Sequence, residues 1–98
     1  MSYFLGTHGP SVTLETACSS SLVATALAAN ALSVGDCDTA IVVGINYLSE
    51  KDFHLSLQAC GVLVQGPACH PFDEDGAKGF FRAEGMGCIV LRRMADAE

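Results

Sequence analysis

The chain has 98 residues, half of them hydrophobic and 16% charged, which excludes a disordered segment and leaves room for one small domain. Its formal net charge of -6 comes from eleven acidic and five basic side chains, and the basic ones form no run longer than two. Phosphate-backbone recognition needs a clustered basic footprint, so nucleic acid is not expected as a partner.

The opening Met1-Ser2-Tyr3-Phe4-Leu5-Gly6 has neither the basic region nor the long apolar region of a signal peptide. The apolar stretches fall short of the about 20 residues that cross a bilayer, so no membrane span is expected. Residues 11–16 read as a short strand in which Val12, Leu14 and Thr16 alternate with Ser11, Thr13 and Glu15, after the breaker Gly9-Pro10. Residues 22–32 are rich in Ala and Leu and predict a helix. Ser19, Ser20 and Ser21 stand before it as N-cap candidates, and Gly35 is placed to stop it. The apolar residues of this helix cover its whole circumference, the pattern of a helix buried on every side. A two-layer fold of this length can hardly enclose such a helix, so further layers are expected around it. Residues 40–45 form a continuous apolar run, as in a central strand covered on both faces. Strand, helix and strand make a βαβ unit.

Residues 49–57 predict a short helix and 61–75 a loop. Residues 79–93 resemble an antiparallel hairpin, with Phe80 and Phe81 in one arm, Cys88 to Leu91 in the other, and a turn near Glu84 to Gly87. The five cysteines, at 18, 37, 60, 69 and 88, are odd in number and show no C-x-x-C pair, which favours neither a disulfide framework nor a zinc ribbon. A reducing, cytoplasmic setting is expected, with Cys37, Cys60, Cys69 and Cys88 as packing residues.

Cys18 asks for another explanation. It lies at a sharp junction between the first strand and the helix N-terminus, where free first-turn amides and the helix dipole favour an anion. The turn also presents the side chain at the end of the strand, as in the nucleophile elbow of serine hydrolases. A thiol so placed can accept an acyl group as a thioester. The residues alone leave open a buried structural thiol at this position.

Thr16-Ala17-Cys18-Ser19-Ser20-Ser21-Leu22 resembles the active-site signature of β-ketoacyl synthases, in the form typical of modular polyketide synthases and animal-type fatty-acid synthases. Gly9-Pro10-Ser11 precedes it at the family's spacing. Gly35-Asp36-Cys37-Asp38 and Ala40-Ile41-Val42-Val43-Gly44-Ile45-Asn46 are similar to the family's post-helix turn and next strand. Cys69-His70-Pro71-Phe72-Asp73 and Arg82-Ala83-Glu84-Gly85-Met86-Gly87 resemble its second signature, so nearly the whole chain is covered.

The resemblance implies an α/β, thiolase-like fold of five layers, α/β/α/β/α, with residues 1–98 as the nucleophile-bearing part of the N-terminal half. It implies a homodimer whose two-fold axis passes near residues 12–16. Cys18 would be the catalytic residue, taking an acyl chain from the phosphopantetheine arm of an acyl carrier protein. The thioester would then react with the carbanion left when malonyl-carrier protein loses carbon dioxide. No cofactor is expected on the chain itself, since the phosphopantetheine belongs to the partner. The family's two histidines and lysine fall in motifs beyond residue 98, and His8, His54 and His70 do not match them. The chain alone is therefore expected not to condense.

Several positions depart from the family's pattern. Glu15 stands for aspartate, Leu63-Val64-Gln65-Gly66-Pro67 for a Leu-Ser-Pro turn, and Lys78 for Asp or Asn. The loop from Asp73 is one residue longer. Ala83 stands for a glycine, which matters if that backbone needs positive φ. Glu84 is expected either as a surface partner of Arg82 or Lys78 or as structural support near the active site. A metal site from Cys69, His70, His54 and Cys60 lacks ligand spacing. Asp73-Glu74-Asp75-Gly76 fails as a calcium loop, and Gly85-Met86-Gly87 as a dinucleotide motif. Two other readings stand beside the synthase: a non-catalytic remnant or scaffold that dimerises or binds carrier protein, and a cysteine hydrolase using one of the three histidines.

Overall fold

The computed structural model describes residues 2–74 and 79–97. The elements run α1 (Ser2–Leu5), a 3-10 turn (Ala17–Ser19), α2 (Ser20–Val34), β1 (Thr39–Asn46), α3 (Lys51–Ala59), β2 (Gly85–Arg92) and a closing 3-10 turn (Met94–Asp96). They fall into two compact units, one made of Met1–Gly44 with Met86–Glu98 and the other of Ile45–Gly85.

The first unit is a helix laid on a two-stranded sheet. α2 extends two residues beyond the predicted span at each end and stops at Gly35, whose φ of 83° is the left-handed conformation that glycine adopts without steric cost. The amide of Gly35 donates to Leu32 O and that of Asp36 to Ala31 O, which satisfies last-turn carbonyls. β1 follows as foreseen, and its exposure alternates. Ala40, Val42 and Gly44 form the shielded face, with Val42 buried, while Ile41, Val43 and Ile45 remain exposed. The continuous apolar run thus has one covered face among the described residues, not the two expected, because α2 is the one layer packed on it here.

β1 and β2 are neighbours in the sheet. Their ends show the direction: Arg93, just past β2, bonds Asp38, just before β1, and Asn46 at the end of β1 bonds Ala83, just before β2. The strands are antiparallel. The predicted hairpin of residues 79–93 does not form, since β2 pairs with β1 and Phe80 instead makes an isolated parallel bridge with Leu63. The apolar pattern of β2 is equally suited to either partner, and β1 is the longer one. Nor are residues 11–16 a strand: they make no ladder bonds among the described residues. A strand exists only where a partner accepts and donates its backbone bonds.

Arg93 joins the far ends of these elements. Its Nη1 donates to Leu32 O at 3.0 Å and to Cys37 O at 2.9 Å, and its Nη2 bonds Asp38 Oδ1. Asp96 Oδ2 lies 2.6 Å from the same Nη2, as an ion pair whose angles do not make an aligned hydrogen bond. The hydrogen bond to Asp38 raises the guanidinium pKa above its ordinary value, desolvation opposes the rise, and the charges of Asp96 and Asp38 add to it. A raised value means that the contribution is complete below the ordinary arginine pKa and is lost only as pH climbs past it, so this knot holds at any physiological pH.

In the second unit, α3 lies two residues later than the span 49–57. Leu63, beyond the end of the helix, is the buried apolar residue of this unit among the described residues. The amide of Phe80 donates to Val62 O, and that of Val64 to Phe80 O.

Among the described residues few apolar side chains are covered. In α2 Leu32 alone is buried, and Leu22 and Val34 are 72% and 63% exposed. Ala17–Val34, the 3-10 turn and α2 taken together, is long and apolar enough by length and composition to cross a membrane. That corrects the expectation that no stretch approaches such a length, because the turn runs directly into the helix and adds to its apolar run. The core helix of a soluble protein passes the same test.

Replacing Arg93 by Ala removes four contacts from one place, whereas Arg92 at the end of β2 has no bonded side-chain partner of this kind among the described residues. Thermal unfolding followed by circular dichroism should show Arg93→Ala melting several degrees below Arg92→Ala, and equal melting would contradict the knot's role.

Candidate active site

Cys18 is the middle residue of the 3-10 turn that feeds α2, and it is exposed. The preceding Ala17 has a φ of 56°, left-handed backbone that a residue with a Cβ enters only at a cost of roughly 1–2 kcal/mol. The chain therefore turns sharply one residue before the thiol, as the elbow reading requires, though without a regular strand leading in.

Hydroxyl groups hold this turn. The amide of Thr16 donates to Ser20 Oγ at 2.8 Å, and that hydroxyl donates on to Ala17 O at 2.8 Å. Ser19 Oγ donates to Thr16 O at 2.8 Å and lies 2.9 Å from Thr16 Oγ1. Two serines thus bind the residues on the near side of Cys18 to those on its far side. They were expected to cap the helix. Ser19 occupies the N-cap position but makes no capping bond, since its hydroxyl is already engaged with Thr16. No acidic residue stands in the first turn of α2. The start of the helix thus has no side-chain cap, and the amides of Ser19 and Ser20, just after the thiol, donate to Thr16 O and Ala17 O within the 3-10 turn.

The other cysteines are all free thiols. Cys69 donates weakly to Gly79 O at 3.7 Å. Among the described residues no three His, Cys, Asp or Glu side chains converge to hold a metal ion. No histidine bonds Cys18 among the described residues, so the pairing that a cysteine hydrolase needs is not formed. His54 instead lines a half-open cleft of about 210 Å³ in the second unit, with Gln58, Leu63, Phe80, Phe81 and Arg82 among its walls.

The second signature carries structural bonds. Glu84 Oε1 accepts from the amide of Leu48 at 2.9 Å, and Asn46 Nδ2 donates to Ala83 O. Glu84 pairs with a backbone amide and not with Arg82, whose guanidinium sits 5.0 Å from the centre of the Phe53 ring. Sequence reasoning missed the Asn46 and Leu48 contacts, because both cross more than 35 positions and no local spacing signals them. Ala83 is not among the residues with positive φ, so the change from glycine is accommodated. Lys78, Asp75 and Gly76 lie outside the described residues.

Residues 1–97 match the family model for the N-terminal domain of β-ketoacyl synthases. A conidial pigment polyketide synthase of Aspergillus fumigatus is 49% identical over 98 residues, which is all of this chain and 4% of that protein. Highly reducing polyketide synthase 40 of Fusarium mangiferae is 47% identical over 97 residues, covering 99% of this chain and 4% of its own. Among solved structures, the ketosynthase from module 6 of the bacillaene synthase of Bacillus subtilis 168 superimposes with a TM-score of 0.91 at 42% identity, over 98% of this chain and 17% of that one. The chain thus spans a small part of the length of each relative.

Ser20→Ala removes both an acceptor and a donor from the turn and should cost about 0.5–1.5 kcal/mol in denaturant unfolding. Ala17→Gly relieves the left-handed strain and should gain up to about 1 kcal/mol in the same measurement. A loss on Ala17→Gly would mean that the turn is not strained.

Proposed function

The chain belongs to the β-ketoacyl synthase family, as part of the N-terminal domain with its thiolase-like layered α/β fold, and from that premise we propose that Cys18 is the acyl-accepting nucleophile. The observation that carries this is the exposed thiol held between a left-handed residue and the uncapped start of α2. In the first stage the Cys18 thiolate attacks the carbonyl carbon of an acyl thioester. The carbon–sulfur bond to the donor breaks, and the donor leaves as a thiol carrying the proton that Cys18 gave up. The serine ties hold the turn that presents the exposed thiol to an incoming thioester.

The second stage belongs to the complete domain. A malonyl thioester loses carbon dioxide, and the electron pair left on its α-carbon attacks the Cys18 thioester carbonyl. The new carbon–carbon bond forms as the carbon–sulfur bond to Cys18 breaks, returning the thiolate and releasing a β-ketoacyl thioester. Residues 1–98 are the nucleophile-bearing part of that domain in this reading. Its partners are an acyl carrier protein with a phosphopantetheine arm and a second copy of the domain, and its setting is the cytoplasm, where the thiol stays reduced. Polyketide synthesis is the favoured pathway, since the similar proteins named above are polyketide synthases.

Incubation with a short acyl-pantetheine thioester, followed by peptide mass spectrometry, tests the first stage. Acylation is expected at Cys18 well ahead of Cys37, Cys60, Cys69 and Cys88, and Cys18→Ala should reduce uptake to background. Slow and equal labelling of all five thiols would sink the proposal and leave a scaffold without turnover.

A further inference from the structure

Gly44 stands on the shielded face of β1, two residues after the buried Val42. A Cβ placed on it would lie 3.0 Å from the Cβ of Ser21 and 3.8 Å from its hydroxyl. Carbon atoms rest against each other at roughly 3.5–4.0 Å, so at this point a side chain fits only if strand or helix gives by a few tenths of an ångström. Ala40 and Val42 carry side chains on the same face, and Gly44 carries none at the position that meets the first turn of α2.

That contact falls one residue from the hydroxyl ties. Ser21 follows Ser20, which bonds both the amide of Thr16 and the carbonyl of Ala17. Thr25 Oγ1 also donates to Ser21 O, so Ser21 is fixed to the next turn of the helix as well. A push on the Ser21 Cβ therefore moves the start of α2 as a body, and Ser20 passes the motion to the two residues before the thiol. The gap is small, but a displacement of a few tenths of an ångström at the start of α2 shifts the bonded turn that carries Cys18.

We propose that Gly44 is a positioning residue for Cys18, whose missing side chain lets β1 seat the first turn of α2 at the depth that aims the thiol; this rests on Cys18 being the acyl acceptor. The residue acts through Ser21 and touches no substrate.

The 98-residue chain tests it as Gly44→Ala, Ser21→Gly, Ser21→Ala and the two double variants, with iodoacetamide alkylation of each cysteine followed site by site by mass spectrometry. Gly44→Ala is expected to change the Cys18 rate by about tenfold. Cys37 and Cys88, in the same unit, should stay within about twofold. Ser21→Gly removes the atom that the new methyl group strikes and should restore the Cys18 rate in the double variant. Ser21→Ala keeps that atom, loses only the hydroxyl, and should not. If Gly44→Ala loses its helical circular dichroism, recovery of that signal by Ser21→Gly and not by Ser21→Ala reads the same contact. An unchanged Cys18 rate, an equal change at all three thiols, or equal rescue by both second substitutions overturns the proposal. Iodoacetamide requires no acyl transfer, so a failure of acylation would strike the function above and would register separately from a failure of this coupling.

Discussion

The Arg93 guanidinium fixes how the sheet and helix of the first unit meet. By holding Leu32 O, Cys37 O and Asp38 together, it ties the last turn of α2 to the residue before β1 and to the residue after β2. With those ends tied, antiparallel pairing sets which residues of β1 face the helix. A slip of one residue would turn Ile41, Val43 and Ile45 inward and put branched side chains where Gly44 now meets Ser21. The arginine thus acts on the thiol's surroundings without standing near them, through register alone.

Much of this was legible in the sequence wherever local chemistry decides structure. The Ala and Leu content announced α2, and Gly35 marked its end because only a left-handed residue ends a helix in that way. The cysteine signature gave the family, and the turn around Cys18 followed from the breakers and serines that surround it. Elements that depend on a partner were the ones misread. The alternation in residues 11–16 is real, but no neighbour among the described residues takes its backbone bonds. The arm Phe80-Phe81 had the composition of a strand next to a second strand, yet residues 85–92 found their partner in residues 39–46, far earlier in the chain. The serines were assigned to helix capping on composition, which is how such residues usually serve. They work one step earlier in the chain, on Thr16 and Ala17, and no spacing rule distinguishes the two uses.

An apolar helix with one buried residue, and a strand with one bare apolar face, describe surfaces made for cover. Such extended apolar area is unusual on a monomer. The superimposed bacillaene ketosynthase is matched over 17% of its length. The circumference of α2 is thus apolar on faces that nothing covers among the described residues.

The bonds around Cys18 have one chemical feature in common. Every tie on the turn joins a hydroxyl or a backbone group to another, and none of them uses a carboxylate, an imidazole or an ammonium. Groups of that kind keep the same charge across the range in which thiols, imidazoles and carboxylates exchange protons. The scaffold is consequently indifferent to pH across that range. In the proposed role, an acyl group would come and go on the sulfur without altering the charge on anything that holds the turn in shape.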